Sequence, residues 1–175
     1  MNIGKPWEFS IMYELLEETE DKQWQFGFFN FVIDDHFVPG VGSNYTLNMV
    51  FNHLKGAVDD LRNAPIVDLS NQNDTTLFTN LSRAFGWLPE DEYNKALEAS
   101  DAEFEEIVEK NKTLPLGVDI TPLEVADTGW GIYYFRSVDE ECLIYSPNAG
   151  QTAMRKVLPL GTVAGIIEQL PNTPI

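Results

Sequence analysis

The change of hydrophobic periodicity along the chain constrains the fold more than any other feature. In residues 9–15 apolar side chains alternate with polar ones, which is the period of a strand with one buried face. In residues 47–61 they recur at helical spacing, and β-rich runs return in residues 130–145. This order predicts an α+β fold, with a mainly antiparallel sheet built from N- and C-terminal strands and a helical middle segment packed on it.

The chain length suits one domain, and composition supports a real core. There are 175 residues, of which 43% are hydrophobic and 12% aromatic. We expect the strands near residues 9–15, 24–33 and 130–145 to share one sheet. The predicted single domain, 1–175, divides into strand-rich 1–40, helical 46–110, strand-rich 116–158 and a terminal helix, 162–170.

The N-terminal part reads as a meander of strands. Residues 24–33 leave little polar surface, which is typical of a strand covered on both faces. The Asp34-Asp35-His36 turn then reverses the chain, so that Phe37 and Val38 pair back onto the preceding strand.

Several helix starts are visible in the middle and at the end of the chain. Thr46 is a good N-cap for the first helix and Asp74 for a second, while Pro89 suits the first turn of a third. Ser100-Asp101-Ala102-Glu103 is a capping box for a fourth, and Thr162 can cap the last. The predicted core positions of the first helix include Leu47, Val50, Phe51, Leu54 and Leu61.

Residues 90–109 carry nine acidic side chains against Lys95, a local charge of −8 out of −17 for the whole chain. A dense negative face steers a basic partner towards it, although a solvated, solubilising helical face remains the alternative. Exposed aromatic residues nearby, Phe104 among them, would supply contact area. The candidate partner-binding residues are Trp87, Glu90, Asp91, Glu92, Tyr93, Glu98, Asp101, Glu105, Glu106 and Glu109.

Charge and composition exclude several classes of partner and location. A pI near 4.2 disfavours nucleic acid and anionic membranes, because both require clustered Lys and Arg. The sequence has no apolar run near membrane-spanning length and no secretory signal pattern at its start. With one cysteine no intramolecular disulfide can form. We expect a soluble protein of the cytoplasm.

No constellation of residues predicts catalysis, a cofactor or a metal site. Phosphate-binding, dinucleotide-binding and serine-hydrolase motifs do not occur in the sequence. His36 beside Asp34 and Asp35 fits a solvated hairpin turn better than a metal site, and His53 lies at the edge of the helical stripe. Nearby carboxylates discourage a Cys142 thiolate. We therefore predict no enzyme activity, no cofactor and no bound metal.

The opening residues resemble a known bacterial family. The Ile3-Gly4-Lys5-Pro6-Trp7-Glu8-Phe9-Ser10-Ile11 stretch, the aromatic hairpin around Gly27-Phe28-Phe29-Asn30-Phe31 and the Tyr45-Thr46-Leu47 helix start carry the resemblance. They are similar to immunity proteins of polymorphic-toxin and contact-dependent growth-inhibition systems, most closely the immunity protein 42 family. The resemblance implies a cytoplasmic, non-enzymatic protein that binds and blocks one cognate toxin domain, and it implies no particular set of binding residues.

The sequence thus predicts an immunity protein that neutralises a secreted toxin domain by stoichiometric occlusion. The expected toxin is basic, for example a nuclease, because the acidic segment would suit such a face. Two other functions stay open: an acidic nucleic-acid mimic that inhibits a DNA- or RNA-binding protein, and a small hydrolase or metal-dependent enzyme. A mimic would spread its carboxylates along a groove, whereas here they cluster on one short segment.

Overall fold

The computed structural model of this protein describes residues 1–40, 44–68, 72–87, 94–95, 98–111 and 117–173. Within these residues the chain forms two antiparallel sheets with helices packed between and against them. The predicted α+β class is confirmed. The third predicted helix, which starts at Pro89, lies mostly outside the described residues.

The N-terminal residues form the first sheet, in the order β1-β2-β3-β4, with β5 pairing to another part of β3. Its strands are β1 (Asn2–Lys5), β2 (Phe9–Glu18), β3 (Gln25–Ile33), β4 (His36–Val38) and β5 (Tyr45–Thr46). The predicted reversal is confirmed, since Ile33 pairs with His36 across a two-residue turn. Asp34 and Asp35 have φ values of 55° and 62°, as a tight hairpin with the native twist requires.

The C-terminal residues form a second sheet in the order β6-β7-β8-β9. Its strands are β6 (Val118–Asp119), β7 (Gly131–Arg136), β8 (Glu140–Ser146) and β9 (Met154–Pro159). Each strand pairs antiparallel with the next one along the chain. The predicted strand runs around residues 130–145 and 154–158 are therefore confirmed.

The prediction that N- and C-terminal strands share one sheet is wrong. In the described part of the chain the two sheets are joined by side chains: Lys156 of β9 donates to the Trp7 carbonyl at 3.0 Å and pairs with the Asp34 carboxylate. Alternating periodicity shows that a strand has a buried face, but it does not say which strand lies beside it. Two sheets sharing one core satisfy the same pattern.

The helices lie between and outside the sheets. Their bounds are α1 (Leu47–Gly56), α2 (Val58–Asn63), α3 (Asp74–Ala84), α4 (Asp101–Asn111), α5 (Leu123–Ala126) and α6 (Thr162–Ile167). The helix predicted after Thr46 is in fact two, since α1 and α2 meet at Ala57. Its predicted core is confirmed: Leu47, Val50, Phe51, Leu54 and Leu61 are at most 2% exposed. The sequence analysis missed α5.

The second sheet is buried on both faces. One face, which includes Ile132 and Leu143, joins the central core with α1, α2, α6 and the first sheet. The opposite face, which includes Tyr133 and Ile144, packs against α3. Because strand residues alternate between faces, neighbours in β7 belong to different clusters. This arrangement places α3 on the outer side of the second sheet.

Two helix caps differ from the predictions. For α3 the cap is Asn73 rather than Asp74, and its side chain accepts a hydrogen bond from the Thr76 amide at 2.8 Å. For α6 the cap position is Gly161, at φ 81°, rather than Thr162. The buried Glu141 carboxylate of β8 accepts from the Gly161 and Val163 amides, both at 2.7 Å. A side chain from another element thus supplies the acceptor that we expected from Thr162.

Candidate partner-binding surface

The acidic segment is represented by Glu98 and by α4 in the described residues. There the side chains of Glu98, Asp101, Glu105, Glu106 and Glu109 are all exposed, as the prediction requires of a contact surface. Glu90, Asp91, Glu92 and Tyr93 lie outside the described residues, so their part in the prediction stays untested.

The start of α4 explains some of its carboxylates structurally. Both the hydroxyl and the amide of Ser100 donate to Glu103, at 2.7 and 3.0 Å, so the glutamate half of the predicted capping box is present. These hydrogen bonds hold the pKa of the Glu103 carboxyl below its ordinary value. Asp101 also lies in the first turn, where the helix dipole favours negative charge. Glu105 and Glu106 lie beyond that turn, so the dipole gives no such reason for them.

Trp87 is exposed and held in a defined position at the end of α3. Gly86, at φ 84°, adopts the left-handed conformation that ends many helices. The Trp87 amide then donates to the Ser82 carbonyl at 2.9 Å, and the Gly86 amide donates to the Arg83 carbonyl at 3.0 Å. This Schellman motif fixes the direction in which the chain leaves α3. The Trp87 side chain remains 50% exposed.

A groove of about 420 Å³ opens beside Trp87. It lies between α3 and the second sheet, and we call it the aromatic groove. Its lining includes Phe78, Ser82, Trp87, Thr121, Trp130 and Tyr133. Among the described lining residues there is no charged side chain, and the volume is within the range of small-ligand sites. The groove therefore offers aromatic faces together with a few neutral polar groups.

Asp119 supports the aromatic groove from behind. Its carboxylate accepts from the Thr121 amide at 2.9 Å, and the Trp87 side chain lies close enough to lower the pKa of this carboxyl slightly. Partial burial nevertheless raises the pKa of this carboxyl above its ordinary value, because the hydrogen bonds only partly compensate the lost hydration. Thr121 is itself fixed, since its hydroxyl accepts from the Ile132 amide at 2.7 Å. Asp119 thus links the exposed indole to the rigid sheet.

The two histidines do not assemble a catalytic centre with the groups described around them. Burial lowers the pKa of His53, and the Asp119 carboxylate opposes that shift. His36 Nδ1 lies 2.6 Å from the Asp34 carbonyl oxygen. The Asp34 carboxylate is engaged by Lys156, whose hydrogen bond and charge lower its pKa. In the described ranges, no group of three or more His, Cys, Asp or Glu side chains is placed to hold a metal ion.

Cys142 is buried in β8, facing α3. Burial raises the pKa of its thiol to about 11, and the nearby Glu140, Asp74 and Glu141 carboxylates act in the same direction against Arg155. At neutral pH the group is therefore a protonated thiol, which is a weak nucleophile.

The sequence analysis missed the aromatic groove because its residues come from separate segments. Trp130 opens the predicted β-rich run of residues 130–145, and nothing in that pattern places it beside Trp87. The neighbouring glycine is a usable signal: a Cβ on Gly131 would lie 2.6 Å from Phe78 Cζ, so a larger residue would displace the ring at the groove floor. Glu124 was missed as well. It accepts from the Thr46 amide and hydroxyl, at 2.8 and 2.7 Å, whereas Thr46 makes no side-chain cap.

The described helices are all too short or too polar to cross a lipid bilayer. This finding concerns only the ranges given above.

Three comparisons with known proteins bear on the family of this chain. An uncharacterized protein from Pasteurella multocida (strain Pm70) is 31% identical over 167 residues, which cover 93% of each chain. The crystal structure of CdiI from Burkholderia dolosa AUO158 has the same fold, with a TM-score of 0.70, 18% identity and coverage of 96% of each chain. The family described as Immunity protein 42 matches residues 1–173. This chain therefore belongs to the Immunity protein 42 family.

Proposed function

We propose that this protein binds one cognate toxin domain in the cytoplasm and neutralises it by stoichiometric occlusion. Membership of the Immunity protein 42 family supports the toxin as partner. The fold it shares with a CdiI protein supports the same proposal. The toxin that we propose carries a basic contact face.

The single observation that carries the basic face is the exposed acidic surface of α4. Glu105 and Glu106 are exposed and lie beyond the first turn of α4. Negative charge stabilises a helix only in that first turn, so it gives no structural reason for these two residues. Pairs of like charge at i,i+4 spacing, such as Asp101 with Glu105, destabilise a helix. Exposed carboxylates that destabilise their own helix are best explained by a function in binding a partner protein. A negative face raises the association rate with a positive partner.

Binding, not catalysis, is the proposed mode of action. Cys142 is buried with a raised thiol pKa, which suits a core residue better than a nucleophile. The overall charge of −17 favours a basic protein over nucleic acid as the partner, because phosphates would be repelled.

The test uses the cognate toxin domain, sought among the reading frames next to this gene, and measures affinity and protection of cells. Glu105, Glu106 and Glu109 are together replaced by Lys. We expect the association rate to fall at least about tenfold at low salt, because charges at the edge of an interface act mainly on the rate at which the partners meet. The difference from the wild type should shrink as salt is added, since salt screens these charges.

The matched control reverses Glu14, Glu17 and Glu20, which are exposed on the first sheet and its following turn. This variant carries the same change in net charge at a distant surface. Equal loss of association in both variants would show that only net charge matters. Unchanged affinity and protection in the α4 variant would refute the acidic contact surface, and failure of the wild type to bind the toxin would refute the proposed function itself.

A further inference from the structure

We propose that the aromatic groove receives an arginine side chain from the toxin, stacked on the indole face of Trp87, with the Asp119 carboxylate behind the groove wall. This inference rests on the proposed function, because it assigns the groove to the same partner. It adds a specific pocket, with its own chemistry, to the proposed contact with the toxin, which so far rests on the charge of α4 alone.

The first argument concerns Trp87. A half-exposed indole costs solvation free energy, yet the Schellman motif and Asp119 hold this one in a fixed place. Tryptophan in such a setting is the residue type most enriched among those that dominate binding energy. Ordering it before association reduces the entropy lost on binding.

The second argument is the chemistry of the groove. Trp87, Trp130, Tyr133 and Phe78 present aromatic rings, and the described lining contains no Lys or Arg. Aromatic faces attract cations, and an indole attracts them most strongly. A guanidinium is planar and weakly hydrated, so it stacks on an indole at a smaller desolvation cost than an ammonium. The hydroxyl oxygen of Ser82 lies in the same lining and can accept one of its remaining N–H groups.

The third argument is the nearby negative charge. The Thr121 amide of the lining donates to Asp119 at 2.9 Å, and the Trp87 side chain lies close enough to lower the pKa of that carboxyl. A carboxylate that has lost hydration without gaining a cation is stabilised when a cation arrives. Among the described residues, His53 is the basic group that acts on this carboxylate, and burial disfavours the charged form of that histidine. An incoming arginine would supply the missing positive charge.

The first experiment needs no toxin. The four tryptophan indole N–H signals are followed by NMR while L-argininamide is added in the millimolar range, with L-norleucinamide as a control probe that has the same α-amine and amide but an uncharged side chain. We expect argininamide to shift the Trp87 and Trp130 signals and to leave those of Trp7 and Trp24 in place. The Asp119→Asn variant should lose this response. No shift with argininamide, or equal shifts with norleucinamide, would overturn the arginine pocket.

The second experiment uses the same cognate toxin domain. Trp87→Ala should weaken its affinity by roughly 30-fold, the effect of a residue that dominates an interface, and Asp119→Asn by roughly tenfold. The matched control is Trp24→Ala, since Trp24 is 47% exposed on the first sheet's side of the molecule, and it should not change affinity.

Trp87→Phe serves as a second variant that keeps an aromatic ring, and it should fall between the wild type and Trp87→Ala. If the wild type and the Trp87 and Asp119 variants bind the toxin equally, the arginine pocket is wrong while the proposed function stands. If the wild type does not bind the toxin, the proposed function fails, and the probe titration still decides whether the groove selects a guanidinium.

Discussion

The first sheet with α1 differs from α4 and the end of α3 in where its aromatic residues lie. In the first region, aromatic residues such as Phe29 and Phe51 are almost completely buried and touch other rings. In the second, Trp87 is exposed at the end of α3, and Phe104 is exposed among the carboxylates of α4. The same residue types thus stabilise the fold in one region and remain available to a partner in the other.

The difference shows which features of an immunity protein are tied to its fold. The central core joins both sheets, α1, α2 and α6, so a change there affects many contacts at once. The described side chains of α4 from Asp101 to Glu106 are exposed, so they can change with little effect on the core. Recognition can therefore be altered without rebuilding the body of the protein.

A substitution in the core is the strongest test of the difference between these two regions. Leu54→Ala, at a position with 0% exposure on α1, should lower the free energy of unfolding by about 2–5 kcal/mol, because it leaves a cavity in a packed core. Met49→Ala on the same helix is the control: Met49 is 47% exposed, and the change should stay within about 0.5 kcal/mol. Denaturant midpoints measure both. Equal midpoints for the two variants would contradict the assigned core.

A smaller effect should come from the buried cap of α6. Glu141→Gln replaces one acceptor oxygen that faces backbone amides with an NH2 donor, and it should cost about 1–3 kcal/mol. The neighbouring Glu140→Gln provides a matched control, since Glu140 is exposed. Equal denaturation curves for the two glutamine variants would show that the cap contributes nothing.

The smallest effect concerns the pH dependence of stability that Asp119 causes. Because the pKa of Asp119 is raised in the folded state, folding favours its protonated form. Its contribution to stability is therefore complete below the ordinary Asp pKa and is lost as pH rises through the raised value. Stability measured against pH should fall more in the wild type across this window than in Asp119→Asn. Parallel pH profiles would show that Asp119 titrates normally.

Local patterns in the sequence predicted the elements well. Helical spacing identified the buried side of α1 and α2, and alternation identified β2, β7 and β8, because one face of each must be buried. The turn chemistry at Asp34 and Asp35 predicted the hairpin correctly. These features depend on residues a few positions apart, so a single sequence contains the information.

Contacts between distant residues could not be predicted in this way. The two-sheet arrangement, the Glu141 cap on α6 and the Glu124 contact with Thr46 each join residues far apart in sequence. Their sequence signals are ordinary: a glutamate in a turn-like run reads as solvated. The aromatic groove is hidden for the same reason, since Trp87 and Trp130 converge only when α3 packs on the second sheet.

The nearness of Trp87 to Asp119 has a consequence for how such proteins diversify. These residues lie at the two ends of the stretch of sequence that contains the acidic segment. The entropy of closing a flexible loop grows only with the logarithm of its length, so doubling such a loop costs roughly 0.6 kcal/mol. On this ground we expect insertions and deletions between these two residues to cost little stability. Changes in length there would let this stretch adjust to a changing toxin while the rest of the sequence stays under the constraint of folding.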